Sequence, residues 1–174
     1  PAITMRLLAD EKASGTLELL ITMPVRDWQV VFGKFLAAMA LLGTALGLTL
    51  VFAITVRFLG PLDRGPTIGG YLGLLLMGGC FISIGLFISS LTRNQIVAGV
   101  ITFATFLMLW VINWIGQSLG PTGQAIVTHL SITDHLDDFA RGIIDTKHLV
   151  YYASFIVFGL FLTAKSVDSE RWRG

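Results

Sequence analysis

A few residues in this chain are of types that could do chemistry, and their spacing says which chemistry is open to them. His129, Asp134 and His135 fall close together and are of metal-ligating type, but the spacing matches no zinc pattern and a further strong ligand is missing. They read as solvated loop residues, so no metal is expected. The single cysteine, Cys80, lies inside an apolar run and reads as a buried thiol, since one cysteine builds neither a disulfide framework nor a metal cage. No G-x-x-x-x-G-K-[ST] loop is present, so this chain is not expected to cradle a nucleotide or to be an enzyme. Asn113, inside Met108-Leu-Trp-Val-Ile-Asn-Trp-Ile115, is an amide in an apolar helix that needs an interhelical partner or a polar path. Helix-to-helix glue is the plainer role for it.

The most informative stretch is DEKASGTLELLITMPVRDW, Asp10 to Trp28, where a very apolar chain briefly turns polar. Ser14-Gly15 breaks the chain, Thr16 can cap a new helix, and Glu18 sits in its first turn, where a carboxylate suits the positive end of the helix dipole. Leu17, Leu20 and Ile21 share one face, Leu19 and Met23 form a second apolar row, and Pro24 closes the helix. About two turns cannot cross a bilayer, so this apolar surface must lie on the lipid interface or enter a groove on a partner. Charges of both signs flank it, Asp10-Glu11-Lys12 before and Arg26-Asp27-Trp28 after. A lipid anchor would favour a one-sided basic face, whereas a mixed polar rim around an apolar plug resembles a small protein interface.

The elements that must position this plug are membrane spans. Of 174 residues 54% are hydrophobic and 13% charged, about half the charge of an ordinary soluble domain. The mean hydropathy of +0.77 agrees. The formal net charge of +1 gives no reason to expect nucleic acid as a partner. A spanning helix needs about 20 apolar residues, and residues 35–56, 67–91, 96–119 and 149–164 meet that need. Such runs without alternation exclude barrel strands, so the expected fold is all-α, a polytopic helical membrane protein. Pro1 to Met5 reads as the cytosolic end of a further span that begins outside this sequence.

Gly60 to Pro66 and Thr92 to Gln95 make the tight turns of helical hairpins. Gly43/Gly47, Gly69/Gly73 and Gly116/Gly120 carry the small-residue spacing that lets helices approach closely. Residues 120–148 form an outer segment in which Ile126 to Ile144 should be an amphipathic helix on the surface. Its apolar face would be Leu136, Phe139, Ala140 and Ile143, opposite Asp137, Asp138 and Arg141. Arg6, Lys12, Arg26, Lys34, Arg93, Lys165, Arg171 and Arg173 fall on one side of the spans, and Arg57, Arg64, Arg141 and Lys147 on the other. The richer set marks the cytosolic side, which places both ends of the chain there.

Met5 to Ala37, MRLLADEKASGTLELLITMPVRDWQVVFGKFLA, resembles the cytosolic segment of the ABC type-2 transporter permeases, in particular the gliding-motility-type branch. Ser89-Ser90-Leu91-Thr92-Arg93-Asn94-Gln95 resembles that family's turn between its fourth and fifth spans, and Phe139 to Asp145 the segment before its last span. The resemblance implies six spans, with this chain carrying the foot of the second and all of the third to sixth. It implies that Thr16, Leu17, Glu18, Leu20, Ile21, Met23 and Arg26 belong to a coupling helix docking on a separate cytosolic ATP-binding cassette subunit. That subunit would bind ATP and Mg. A second permease subunit, as a homo- or heterodimer, a multi-pass site in the plasma (inner) membrane and export of a substrate are implied as well. The alternative is a membrane scaffold or assembly factor that docks a partner without moving cargo.

Overall fold

The computed structural model describes residues 2–16, 27–60, 63–116, 132, 134–143 and 145–171. The elements are helices throughout: α1 (Ala9–Ser14), α2 (Asp27–Leu59), α3 (Arg64–Leu91), α4 (Gln95–Gly116), α5 (Asp134–Ala140) and α6 (Thr146–Arg171). Three stretches, Trp28–Leu59, Arg64–Leu91 and Thr146–Ser169, are long and apolar enough to cross a bilayer, and α4 adds a shorter apolar helix. This is a polytopic α-helical membrane protein, as its composition requires.

The helices outrun their apolar cores, and local chemistry says why. α2 starts at Asp27 and passes through Lys34 without a break, because the lysine amine reaches back to the Leu7 carbonyl at 2.5 Å and to Glu11 at 2.6 Å. At 33 residues and about 1.5 Å per residue it is longer than a hydrocarbon layer is thick. α3 begins at Arg64 rather than after the proline: the Asp63 carboxylate accepts from the Gly65 N–H at 3.3 Å. Pro66 stands in the first turn, where its missing N–H costs no helical bond. Asn94 opens α4, its side chain accepting from Ile96 and Val97 at 2.9 and 3.4 Å. Asp145 does the same for α6, accepting from the Lys147 N–H at 3.2 Å, and the helix then continues into the charged C-terminal stretch.

α3 is the centre, packed by α6, α2, α5 and α4. One core joins Leu8, Val31, Phe35, Ile82, Leu86 and Leu160; the other joins Cys80, Ile132, Phe139 and Tyr152. In lipid there is no hydrophobic drive between helices, so close packing must hold them, and glycine makes it possible. A Cβ on Gly78 would strike Leu42 of α2, and one on Gly79 would meet Ile156 of α6 at 2.9 Å. Gly159 of α6 in turn faces Ser83 of α3, 2.7 Å from where its Cβ would be.

The segment expected to lie along the surface is seated differently. Of its predicted apolar face, Phe139 is fully buried, while Ala140 and Ile143 are exposed. Phe139 and Leu136 enter the notch that Gly69 and Gly73 leave on α3, so this pair of the three glycine pairs does mark a crossing. Gly43 and Gly47 face open space within the chain, and Gly120 lies outside the described residues. Asp138, expected in solvent, pairs with His148 at 3.0 Å, and the Tyr152 hydroxyl donates to the Ile132 carbonyl at 2.7 Å. The Gly142 turn that ends this segment, at φ +80°, presses on Gly65 and Pro66.

Candidate coupling site

Residues 17–26 lie outside the described residues, and with them Leu17, Glu18, Leu20, Ile21, Met23 and Arg26. What is described is the structure on either side of that stretch. α1 ends at Ser14, and Gly15 takes the left-handed conformation at φ 72° that stops a helix. The break expected at Ser14-Gly15 is present. Thr16 turns its hydroxyl back toward α1, 2.9 Å from the Ser14 hydroxyl and 3.4 Å from the Glu11 carbonyl. On the far side α2 begins with Trp28 stacked on Phe32, ring centroids 5.3 Å apart.

α1 is a six-residue helix, too short to stand alone in water. Its stability comes from α3. The first N–H groups of a helix lack internal partners, and Leu8 at the cap position offers no side-chain acceptor. Ser89 of α3 supplies it across space: its hydroxyl oxygen accepts from the Leu8 and Ala9 N–H groups at 3.2 and 2.9 Å. The favour is returned at the end of α3, where carbonyls lack partners. There the buried Lys12 ammonium donates to the Ser90 carbonyl, a cation placed where the α3 dipole is negative. Each helix completes the other's end.

Further ties fix the segment before α1. Thr4 is buried with its side chain against Gly85 of α3, Met5 lies over Gly99 of α4, and Arg6 donates through Nε to the Gln95 side chain at 3.0 Å. Leu8 is fully buried in the core shared with Val31 of α2 and Leu86 of α3. Lys34 then closes the loop from α2, bonding Glu11 across 23 residues. Both partners are mostly shielded, with side chains 18% and 29% exposed. α1 and α2, which flank residues 17–26, are thus tied to α3 and to each other by one polar knot.

Sequence reading found the stretch and missed the knot. Lys12, Lys34 and Glu11 were read as charges beside the plug or at a span foot, and Ser89 as part of a turn. The signal available was slight: a lysine directly after an acidic pair, a second lysine inside an apolar run, and two adjacent serines at a helix end. Among the other polar residues of the spans, Thr44, Thr55, Ser83 and Thr105 bond carbonyls of their own helices. The Asn113 side chain, His129 and the His135 side chain lie outside the described residues. Among the described residues no group of three potential metal ligands occurs.

The ABC-2 family transporter protein profile matches residues 2–165. The probable multidrug ABC transporter permease YbhR of Escherichia coli strain K12 is 32% identical over 103 residues, covering 58% of this chain and 27% of that protein. The protein of the same name in Escherichia coli O157:H7 matches to the same extent. The match therefore spans about a quarter of the length of these relatives. No solved structure matches the chain. With the family profile running from the buried foot before α1 to the last turns of α6, and the helices it covers packed as a membrane bundle, this chain belongs to the ABC-2 family of transporter proteins.

Proposed function

We propose that the chain is a permease subunit of an ATP-binding cassette exporter and that residues 17–26 are where a separate cassette subunit drives it. The observation that carries this reading is the knot of Ser89, Lys12, Glu11 and Lys34. A loop that merely joined two spans would need no such bracing, whereas a loop that receives force from a partner must be rigidly joined to what it moves. The plug of Leu17, Leu20 and Ile21 would seat in a groove on the cassette, with Glu18 and Arg26 at its rim and Thr16 and Met23 at its ends. ATP and Mg would belong to the cassette, and two permeases would pair with two cassettes. On this reading the Arg6 to Lys34 side and the C-terminus face the cytosol from the plasma membrane. The relatives' description as a probable multidrug permease, together with spans this apolar, directs the search for cargo to amphipathic small molecules.

The test is co-purification of the cassette with the full-length protein from detergent, followed by ATPase assay. Leu20→Asp with Ile21→Asp should abolish both binding and stimulation; retention of both sinks the assignment. Lys34→Met should leave binding intact and lower stimulation, because the plug survives and its bracing does not. A protein that binds the cassette and never moves amphipathic dyes in vesicles would instead favour the scaffold reading.

A further inference from the structure

α6 does not stop where its apolar run stops. The run ends at Ala164, yet the helix continues through Lys165, Ser166, Asp168, Ser169 and Glu170 to Arg171, about two turns beyond what crossing a bilayer needs. One side of this foot is charged and open to solvent, with Lys165 and Asp168 paired at 3.8 Å. Val167 faces the other way. It is 3% exposed and belongs to the core that holds Leu8 before α1 and Val31 of α2. Ile156, Leu160 and Ala164 join the same core, so one stripe of α6 runs from the middle of the span down to the knot.

The polar side of the same junction also includes α6. The Ser90 carbonyl, in the last turn of α3, accepts from the buried Lys12 ammonium of α1, and the Ser166 hydroxyl of α6 lies 3.5 Å from that same oxygen. Three elements therefore meet at one carbonyl. Beside it, Leu8 and Val167 share one apolar core.

We propose that the foot of α6, through Val167, is a second output of the coupling stretch: movement of α1 passes to the last span directly, and not only by way of α3. The inference rests on the coupling reading above, since it needs a push that arrives at residues 17–26. Val167 is a positioning residue that acts through the core it shares with Leu8. Ordering two further turns of helix costs chain entropy, and a span that only crossed the bilayer has no use for them. Beyond the apolar run, exclusion from water holds Val167 in place, a drive that helices within lipid lack. The foot is thus fastened to α1 by a force of its own.

The experiment isolates complexes of the full-length protein by a tag on the cassette and measures ATP turnover per complex, so that a variant that folds poorly lowers the yield and not the readout. Val167→Ala should be recovered with the cassette at the wild-type ratio of subunits and turn over about three-fold more slowly. Val167→Ile, which keeps the apolar contact, should stay near wild type, as should Lys165→Gln on the exposed side of the same foot. Leu8→Ala combined with Val167→Ala should be no slower than the slower single variant, because both break one path. Wild-type turnover in Val167→Ala complexes overturns the proposal, and so do losses that multiply in the double variant. Either result leaves the coupling reading standing if the wild-type chain binds and stimulates the cassette. A wild-type chain that does neither removes that reading, and this inference with it.

Discussion

Ser89 is a small side chain with a large duty, because it serves two backbone donors that nothing else in α1 can satisfy. Ser89→Ala leaves the Leu8 and Ala9 N–H groups buried without that acceptor, and the expected cost is about 1–2 kcal/mol. Lys34→Met removes the Leu7 carbonyl's donor and strands the Glu11 carboxylate. For a largely shielded pair, the expected loss is about 2 kcal/mol, between a surface pair and a fully buried one. Thermal unfolding in detergent should register both as lower midpoints, with Ser89→Thr closer to wild type than Ser89→Ala. Asp145 offers a pH-dependent case. Its carboxylate is held below the usual range, first by the Lys147 backbone N–H and then by the Lys147 side chain. A depressed folded value means a stabilisation present above the unfolded value and lost as pH falls through the folded one. The difference in midpoint between wild type and Asp145→Asn should therefore be present at neutral pH and vanish below the ordinary carboxylate range. A difference that persists unchanged in strong acid would assign the effect to the amide's own geometry instead.

Among elements, α5 shows how a seven-residue helix can be seated firmly. It packs on α3 at Gly69 and Gly73, where a Cβ would strike the Phe139 carbonyl or come within 2.9 Å of the Phe139 side chain. Gly142 closes the segment at positive φ, where alanine is strained and would crowd Gly65 at 2.8 Å. Cys80, fully buried and packed in the same core as Phe139, reports on this seat. Gly73→Leu, by overpacking worth about 1–3 kcal/mol, should speed labelling of Cys80 by a small thiol reagent about ten-fold or more, through local opening. Equal rates in both proteins would mean that α5 does not cover the thiol. Much at this scale was legible in sequence: uncharged runs announced the long helices, and Asn94, Gly15 and the Gly69/Gly73 pair announced ends and a crossing. Helix ends were less so. Proline and lysine look like boundaries in a one-dimensional reading, yet Pro66 fits a first turn and Lys34 finds partners on another element. The apolar stripe of residues 136–143 was visible, but which of its members are buried depends on a glycine notch far off in sequence. For the same reason the His148–Asp138 pair and the knot around α1 were invisible.

For the molecule as a whole, the arrangement of basic residues makes a prediction about sidedness. Ser14→Cys and Ser169→Cys, in otherwise native protein, should react with an impermeant maleimide from the cytosolic side only, and Arg141→Cys from the other side only. Labelling of Ser14→Cys and Arg141→Cys from the same side would reverse the topology proposed. Finally, the glycine notches along α3 have a kinematic meaning. Leu42, Ile156, Phe139 and Thr4 each sit over a different glycine of that helix, like pegs at different heights on one rod. Sliding one of these neighbours lengthwise would drive its peg out of its notch and into a side chain, so piston motion along α3 is opposed. A rigid rotation of the packed helices keeps every peg in its notch, so it is the motion that this packing opposes least.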